Sequence, residues 1–320
     1  RPCRPSLPGF FLPILRLMSS PTPSDSAAST ARPALWQCGR FRLPLERPLV
    51  MGILNITDDS FSDGGRHRDP TVAVAAARRM IDEGADIIDI GGESTRPGAQ
   101  RVDVDTEISR VLPVVRALLA DGTDGSAGSA IVSVDTIHAA TAEAAIDAGA
   151  HIINDVSGGL ADPAMHDLIA RTGVVYVCQH WRGDPETMDR LTDYPGGVVA
   201  GVEAELRERL AELDAAGVDR AQVVLDPGLG FAKTHAQSWE LLAATSRLIA
   251  DLGRPLLVGS SRKRFLAQAA EAEATPVQRD AVTAATTALA AASGAWAVRV
   301  HEVPANRAAV RTASLWKEHQ

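Results

Sequence analysis

One pattern repeats along this chain from about residue 36 to its end, and it admits few architectures. A short β-branched apolar run ends in a polar residue. An alanine-rich helical stretch follows, a glycine stops it, and the next apolar run begins. The joint stands as Gly84-Ala85-Asp86-Ile87-Ile88-Asp89, again as Gly149-Ala150-His151-Ile152-Ile153-Asn154, and once more as Gly173-Val174-Val175-Tyr176-Val177. It recurs as Gly217-Val218 ahead of Val223-Val224-Leu225, and last as Gly294-Ala295-Trp296-Ala297-Val298. Glycine past a helix end takes the left-handed conformation at little steric cost, so it is the residue expected at such a joint. The runs predict strands at 49–54, 86–90, 131–134, 151–154, 174–178, 222–225, 255–259 and 296–300. Helices are predicted near 70–83, 104–120, 138–148, 163–172, 197–216, 236–252, 275–293 and 304–317. Eight strands alternating with eight helices over roughly 280 residues predict an α/β protein, a (β/α)8 TIM barrel in a single domain over 36–320. A doubly wound open sheet is the alternative. It more often shows about six strands and a glycine-rich first turn, and the chain has neither GxGxxG nor a P-loop.

Residues 1–35 are of another kind. Ser19–Ala34 is rich in Pro, Ser, Ala and Thr and cannot bury a core. The apolar run Gly9–Met18 is interrupted by Pro13 and Arg16, which speaks against a signal peptide. A disordered or non-native tail, with translation from Met18, is the expectation. Net charge is −8 at pH 7, which argues against nucleic acid or an anionic membrane as partner. A local cation cluster for a small anionic substrate remains compatible with it. Three widely spaced cysteines, Cys3, Cys38 and Cys178, fit a reducing compartment with free thiols. Asp121–Ala130 reads as a tolerated insert on the N-terminal face of the barrel.

In a barrel the chemistry stands at the C-terminal ends of the strands. Those positions hold Asn55, Glu93 to Arg96, Asp135, Asn154, Gln179-His180, Asp226, Ser261 to Arg264, Arg299 and His301. Asp or Asn after a strand often only caps the next helix, but Lys263, Arg299 and His301 cannot do so. Three cations at 262–264 are expected in the first turn of a helix capped by Ser260 or Ser261. There they oppose the helix dipole, so they suggest a bound anion. With Arg96, Arg299 and His301 they are expected to hold a phosphate or pyrophosphate. Asn55 and the carboxylates after it are oxygen ligands suited to Mg²⁺ bridging that anion. Asp135, Asn154 and Asp226 offer acceptors in a pocket and call for a donor-rich partner such as a guanine-like edge. Solvated helix caps are the bland reading of that trio. Phe61 sits amid polar residues, where a solvated loop has little use for an aromatic. The two glycines just before Phe231 suggest backbone brought close to a flat ligand, a core aromatic being the bland reading.

These stretches together resemble dihydropteroate synthase. They are MGILNITDDSFSDGG at 51–65, GADIIDIGGESTRPG at 84–98, SVDT at 133–136 and IINDVSGG at 152–159, followed by DPGLGFAKT at 226–234, SRKRF at 261–265 and RVHEV at 299–303. The resemblance covers about residues 48–304. It implies a homodimeric, cytoplasmic barrel that needs Mg²⁺. The implied reaction condenses 6-hydroxymethyl-7,8-dihydropterin pyrophosphate with p-aminobenzoate to 7,8-dihydropteroate and pyrophosphate, by SN1-like transfer. Position by position, it implies that Asp135, Asn154, Asp226 and Lys263 bind the pterin. Asn55, Thr95, Arg96, Arg299 and His301 would hold pyrophosphate, Asn55 together with the metal. Phe61, Pro97, Phe231 and the Lys263 stem would frame p-aminobenzoate, and Asp63, Thr95 and Arg96 would lie on closing loops. Arg299, His301, Lys263, Arg96 and Asp63 are the expected catalytic set. Three positions depart from the family: Asp58 stands where Pro is frequent, Gln179 where Met is usual, and Arg264 where Ser is frequent. Asp58 predicts a lid over 57–65 that is looser when empty. Gln179 and Arg264 motivate an alternative, a catalytically silent pterin-binding paralogue. A pterin-dependent methyltransferase would not need the cations at 262–264, 299 and 301.

Overall fold

The computed structural model describes residues 35–38, 41–44, 47–56, 70–93, 101–120, 131–184, 186–271 and 274–320. Two short strands, β1 (Leu35–Cys38) and β2 (Phe41–Pro44), pair antiparallel ahead of the barrel. They were not among the predicted strands, because neither is a β-branched apolar run: Arg42, Gln37 and Pro44 interrupt them. The eight predicted runs then appear in order. They are β3 (Leu49–Asn55), β4 (Ile87–Gly91), β5 (Ile131–Asp135), β6 (Ile152–Asp155), β7 (Val175–Gln179), β8 (Val223–Asp226), β9 (Leu257–Val258) and β10 (Ala297–Val300). All are parallel, in the order β8-β7-β6-β5-β4-β3-β10-β9. A single bridge between Leu225 and Leu256 brings β8 beside β9 and closes the ring. The chain folds as a (β/α)8 barrel.

The helices between the strands are α1 (Pro70–Asp82), α2 (Val104–Ala120), α3 (Ala139–Asp147), α4 (Met165–Thr172) and α5 (Val198–Ala215). They continue as α6 (His235–Ala243), α7 (Thr245–Leu252), α8 (Asp280–Ala292) and α9 (Val303–Glu318). The glycines at 84, 149, 173, 217 and 294 all have positive φ, between 66° and 105°, as the joints required. The predicted helix over 236–252 is broken at Ala244 into α6 and α7. The Thr245 hydroxyl turns back to donate to the Leu242 carbonyl at 2.7 Å, a local bond that competes with the helix ladder. Over 262–269 no α-helix forms. Arg262 sits at φ 59° and a 3₁₀ turn runs from Arg264 to Ala269.

Strand alternation places the site. One set of side chains, including Val50, Ile88, Ile90, Val132, Val134, Ile153, Tyr176 and Leu225, packs outward against the helices. The other set fills the barrel with Leu49, Met51, Ile87, Ile131, Ile152, Val175, Val177, Val224 and Leu257. Positions two and four residues beyond the inner set, on the same face, are Asn55, Asp89, Ser133, Asp135, Asn154, Gln179, Asp226 and Arg299. The lower barrel is therefore an apolar plug and the upper barrel is polar. Register sets the upper level: Asn55 lies opposite Gly91, Gly91 opposite Asp135, and Asp135 opposite Asn154. Gln179 lies opposite Asp226. The insert at 121–130, the tail at 1–34 and the stretch 57–69 lie outside the described residues.

Candidate active site

A cleft of about 740 Å³ opens at the C-terminal ends of the strands. Seven of the residues expected there line it: Asn55, Asn154, Asp226, Phe231, Lys263, Arg299 and His301. Asp135 is buried beneath and borders a small adjoining recess with Glu93, Glu107 and Phe231. Asp58, Phe61, Asp63, Thr95, Arg96 and Pro97 lie outside the described residues.

Asp226 ends β8, and the chain winds back over its carboxylate. Its Oδ1 accepts from the Gly228 N–H at 2.7 Å. Gly228 has φ 66°, and a Cβ there would stand 2.5 Å from the His180 carbonyl, so only glycine makes this turn. The same loop carries Phe231 to the cleft wall. Lys263 arrives from the other side, its Nζ donating to the Leu229 carbonyl and resting 4.7 Å from the Phe231 ring centre. A lysine stem along an aromatic face suits a flat ligand placed over both. Burial pushes the Asp226 carboxyl above the usual range, with the Lys263 charge opposing it. Burial likewise lowers the Lys263 ammonium to about 8, with Asp226 opposing.

Arg299 is not presented alone to an anion, as the sequence suggested. Its Nε donates to Asp89 Oδ2 and its Nη2 to Asp135 Oδ2, both at 2.6 Å. Burial pushes Asp135 up to about 7, with Arg299 opposing. His301 Nδ1 pairs with the Ser261 hydroxyl at 3.0 Å. The cations at 262–264 also separate. Arg262 forks onto Asp280 at 2.7 and 2.8 Å, and Arg264 bonds both oxygens of Asp189 at 2.9 Å on the surface. Only Lys263 of the three turns to Asp226. The anion argument from a charged helix start therefore fails for Arg262 and Arg264, because each has its own carboxylate.

Sequence reasoning missed two groups. Asp89 is fully buried in the middle of β4 and joins Ser133, Asn154 and Arg299. Its signal was a carboxylate inside an isoleucine run, in phase with Asp135. Lys233 is buried behind the Asp226 turn, donating to the Phe231 carbonyl at 2.9 Å and to His180 Nδ1 at 3.0 Å. Glu205 faces His180 Nε2 at 3.0 Å. A carboxylate there fixes the proton on Nε2 and leaves Nδ1 to accept from Lys233. Arg182 pairs with Glu205 at the outer end. The chain braces the loop that holds Asp226 and Phe231. Gln179, the polar departure, lines the cleft and donates weakly to the Val156 carbonyl at 3.3 Å.

The family of pterin binding enzymes matches residues 51–301. A dihydropteroate synthase of Mycobacterium leprae is 49% identical over 273 residues, which is 83% of this chain and 93% of the relative. The chain belongs to the dihydropteroate synthase family. Its activity is thus a transfer step of folate synthesis. The dihydropteroate synthase of Xanthomonas albilineans, solved with 4-aminobenzoic acid, superposes with a TM-score of 0.78 at 41% identity over 89% of this chain and 98% of that one. The enzyme of Yersinia pestis, solved with a sulfonamide drug, superposes with a TM-score of 0.81 at 37% identity over 89% of this chain and 100% of that one. Among the described residues no helix is long and apolar enough to cross a membrane.

Proposed function

We propose that the cleft holds 6-hydroxymethyl-7,8-dihydropterin pyrophosphate towards the barrel axis and p-aminobenzoate beside it at the mouth. One observation carries this reading: acceptors (Asp226, Asn154) and donors (Lys263, Arg299, His301) converge on a single cleft of about 740 Å³, a volume suited to small-molecule ligands. Asp226, Asn154 and Asp135 take the N–H edge of the pterin, and Lys263 donates to it. Arg299 and His301 hold the pyrophosphate. Phe231 and the Lys263 stem form one wall for p-aminobenzoate. Phe61 and Pro97 supply the other, and Asp63, Thr95 and Arg96 close over the site.

Mg²⁺ fits the donors present. Asn55 lines the cleft, and its amide oxygen is a hard ligand of the kind that Mg²⁺ takes. An ion held by one protein oxygen, substrate phosphates and water is the common arrangement for Mg²⁺. When bound it neutralises charge on the leaving group.

Transfer begins as the bond between the pterin methylene and the pyrophosphate oxygen breaks, its electron pair leaving with pyrophosphate. The electron-rich ring delocalises the cation, and Asp226 tolerates it. The amine lone pair then forms the C–N bond, and one N–H proton is released. Arg299 and His301 stabilise charge as it develops on the leaving oxygens, which is the preorganised electrostatic contribution. An arylamine is unprotonated near neutrality, so the site needs no strong base. Closed loops exclude water that would capture the cation.

A cytoplasmic homodimer completes the proposal. Helices α8 and α9 pack on one another and leave Leu289 60%, Leu315 56% and Trp316 65% exposed, apolar surface that a second copy would cover.

The pH profile tests the assignment of groups. kcat/KM for the pterin substrate reports the free enzyme. Lys263, lowered to about 8, donates below that pH and loses its proton above it. Asp135, raised to about 7, accepts above that pH and is protonated below it. The expected profile peaks between those values and falls on both sides, and Lys263→Arg moves the alkaline limb upward. A profile flat from about pH 6 to 9 would remove both groups from pterin binding.

A further inference from the structure

Asp89 belongs to neither ligand in the scheme above. It does not line the cleft, yet it touches two of the groups that do. It is fully buried, and a buried carboxylate costs several kcal/mol unless its lone pairs are well used. Its Oδ1 accepts from the Ser133 hydroxyl at 2.6 Å. Its Oδ2 accepts from Asn154 Nδ2 at 3.0 Å and from Arg299 Nε at 2.6 Å.

Each contact fixes an orientation. A carboxylate can only accept, so it draws the amide nitrogen of Asn154 and turns the amide oxygen elsewhere. Asn154 thereby meets a ligand with its acceptor. On Arg299 the bond is to Nε, the innermost donor of the fork. The outer Nη2 is held by Asp135, a residue assigned to the pterin. Each substrate half therefore competes with the same contact that the empty site makes with itself.

We infer that Asp89 is a positioning residue, the pivot about which Arg299 exchanges its Nη2 contact from Asp135 to the pyrophosphate when the pterin edge takes Asp135. This rests on the ligand assignment proposed above. Nε stays on Asp89 throughout, so the guanidinium turns without leaving the site. The pterin ring bears the cost of opening the Arg299–Asp135 bond, and an anion arriving afterwards does not. Ring and anion then bind with positive coupling, which is reciprocal.

Calorimetry tests this on the full chain. The probes are Mg²⁺ with inorganic pyrophosphate, titrated with and without saturating 6-hydroxymethylpterin. In the unmodified enzyme the pterin is expected to tighten pyrophosphate binding by about fivefold or more. In Asp89→Asn one acceptor is lost, and the coupling should fall towards onefold while each ligand still binds alone. Arg299→Lys, whose ammonium lacks the fork, should lose the coupling as well, with melting curves checking that both variants fold. A merely structural Asp89 would weaken both ligands and leave their ratio unchanged, which overturns the inference. Equal pyrophosphate affinity with and without pterin in the unmodified enzyme overturns it alone. No binding of either probe overturns it together with the ligand assignment.

Discussion

Asp226→Asn is expected to cost roughly 2–5 kcal/mol in kcat/KM for the pterin substrate, the loss in binding when one partner of a buried, hydrogen-bonded charge pair is truncated. Two losses combine in this variant. The substituted amide presents one acceptor where the carboxylate presented two, so the pterin N–H edge keeps at most part of its partner. Lys263 also loses the charge that opposes its desolvation, and its ammonium becomes easier to deprotonate. The Gly228 N–H still finds an oxygen 2.7 Å away, so the turn persists and the melting temperature should change little. The effect should appear in pterin affinity, read by calorimetry, with the KM for p-aminobenzoate nearly unchanged. Unaltered pterin affinity would place the ring elsewhere in the cleft.

Arg299→Ala has a different signature. It removes the donor assigned to the leaving group, a contribution of roughly 2–4 kcal/mol for a preorganised donor. The loss should fall on kcat, because charge grows on the pyrophosphate oxygens as the bond breaks. It also leaves Asp89 and Asp135 facing each other without their shared cation. Asp135 then loses the cation that opposes its desolvation and keeps the Asp89 charge beside it, so the acid limb of the pH profile should shift upward. Steady-state kinetics with both substrates read each change. Near-normal kcat in Arg299→Ala would dismiss it from leaving-group stabilisation.

Much of this was open to reading in the sequence, for physical reasons that can be named. Strands buried on both faces must be short apolar runs, and helix ends need a residue tolerant of positive φ. Gly84, Gly149 and Gly294 together with the isoleucine and valine runs therefore gave the barrel. Chemistry at strand ends made Asn55, Asn154, Asp226, Lys263 and Arg299 candidates, and the fold brings all five to one cleft. What stayed hidden depended on pairing across the chain. Nothing local says that Arg262 and Arg264 belong to Asp280 and Asp189, so a row of cations looked like one anion site. Asp89 is separated from Arg299 by the whole barrel in sequence, and only strand parity places it with Asp135. Lys233 gains its role only from His180, which lies far from it in sequence, and from Glu205 behind His180. The break at Ala244 is accompanied by a hydroxyl bond from Thr245 to the Leu242 carbonyl, which helix periodicity does not register.

The most direct test of the account is turnover by the purified enzyme with its substrates supplied separately and together, with and without Mg²⁺. The account predicts 7,8-dihydropteroate and an equal amount of pyrophosphate only when dihydropterin pyrophosphate, p-aminobenzoate and Mg²⁺ are all present. Both substrates bound with Mg²⁺ present and no dihydropteroate formed would contradict it.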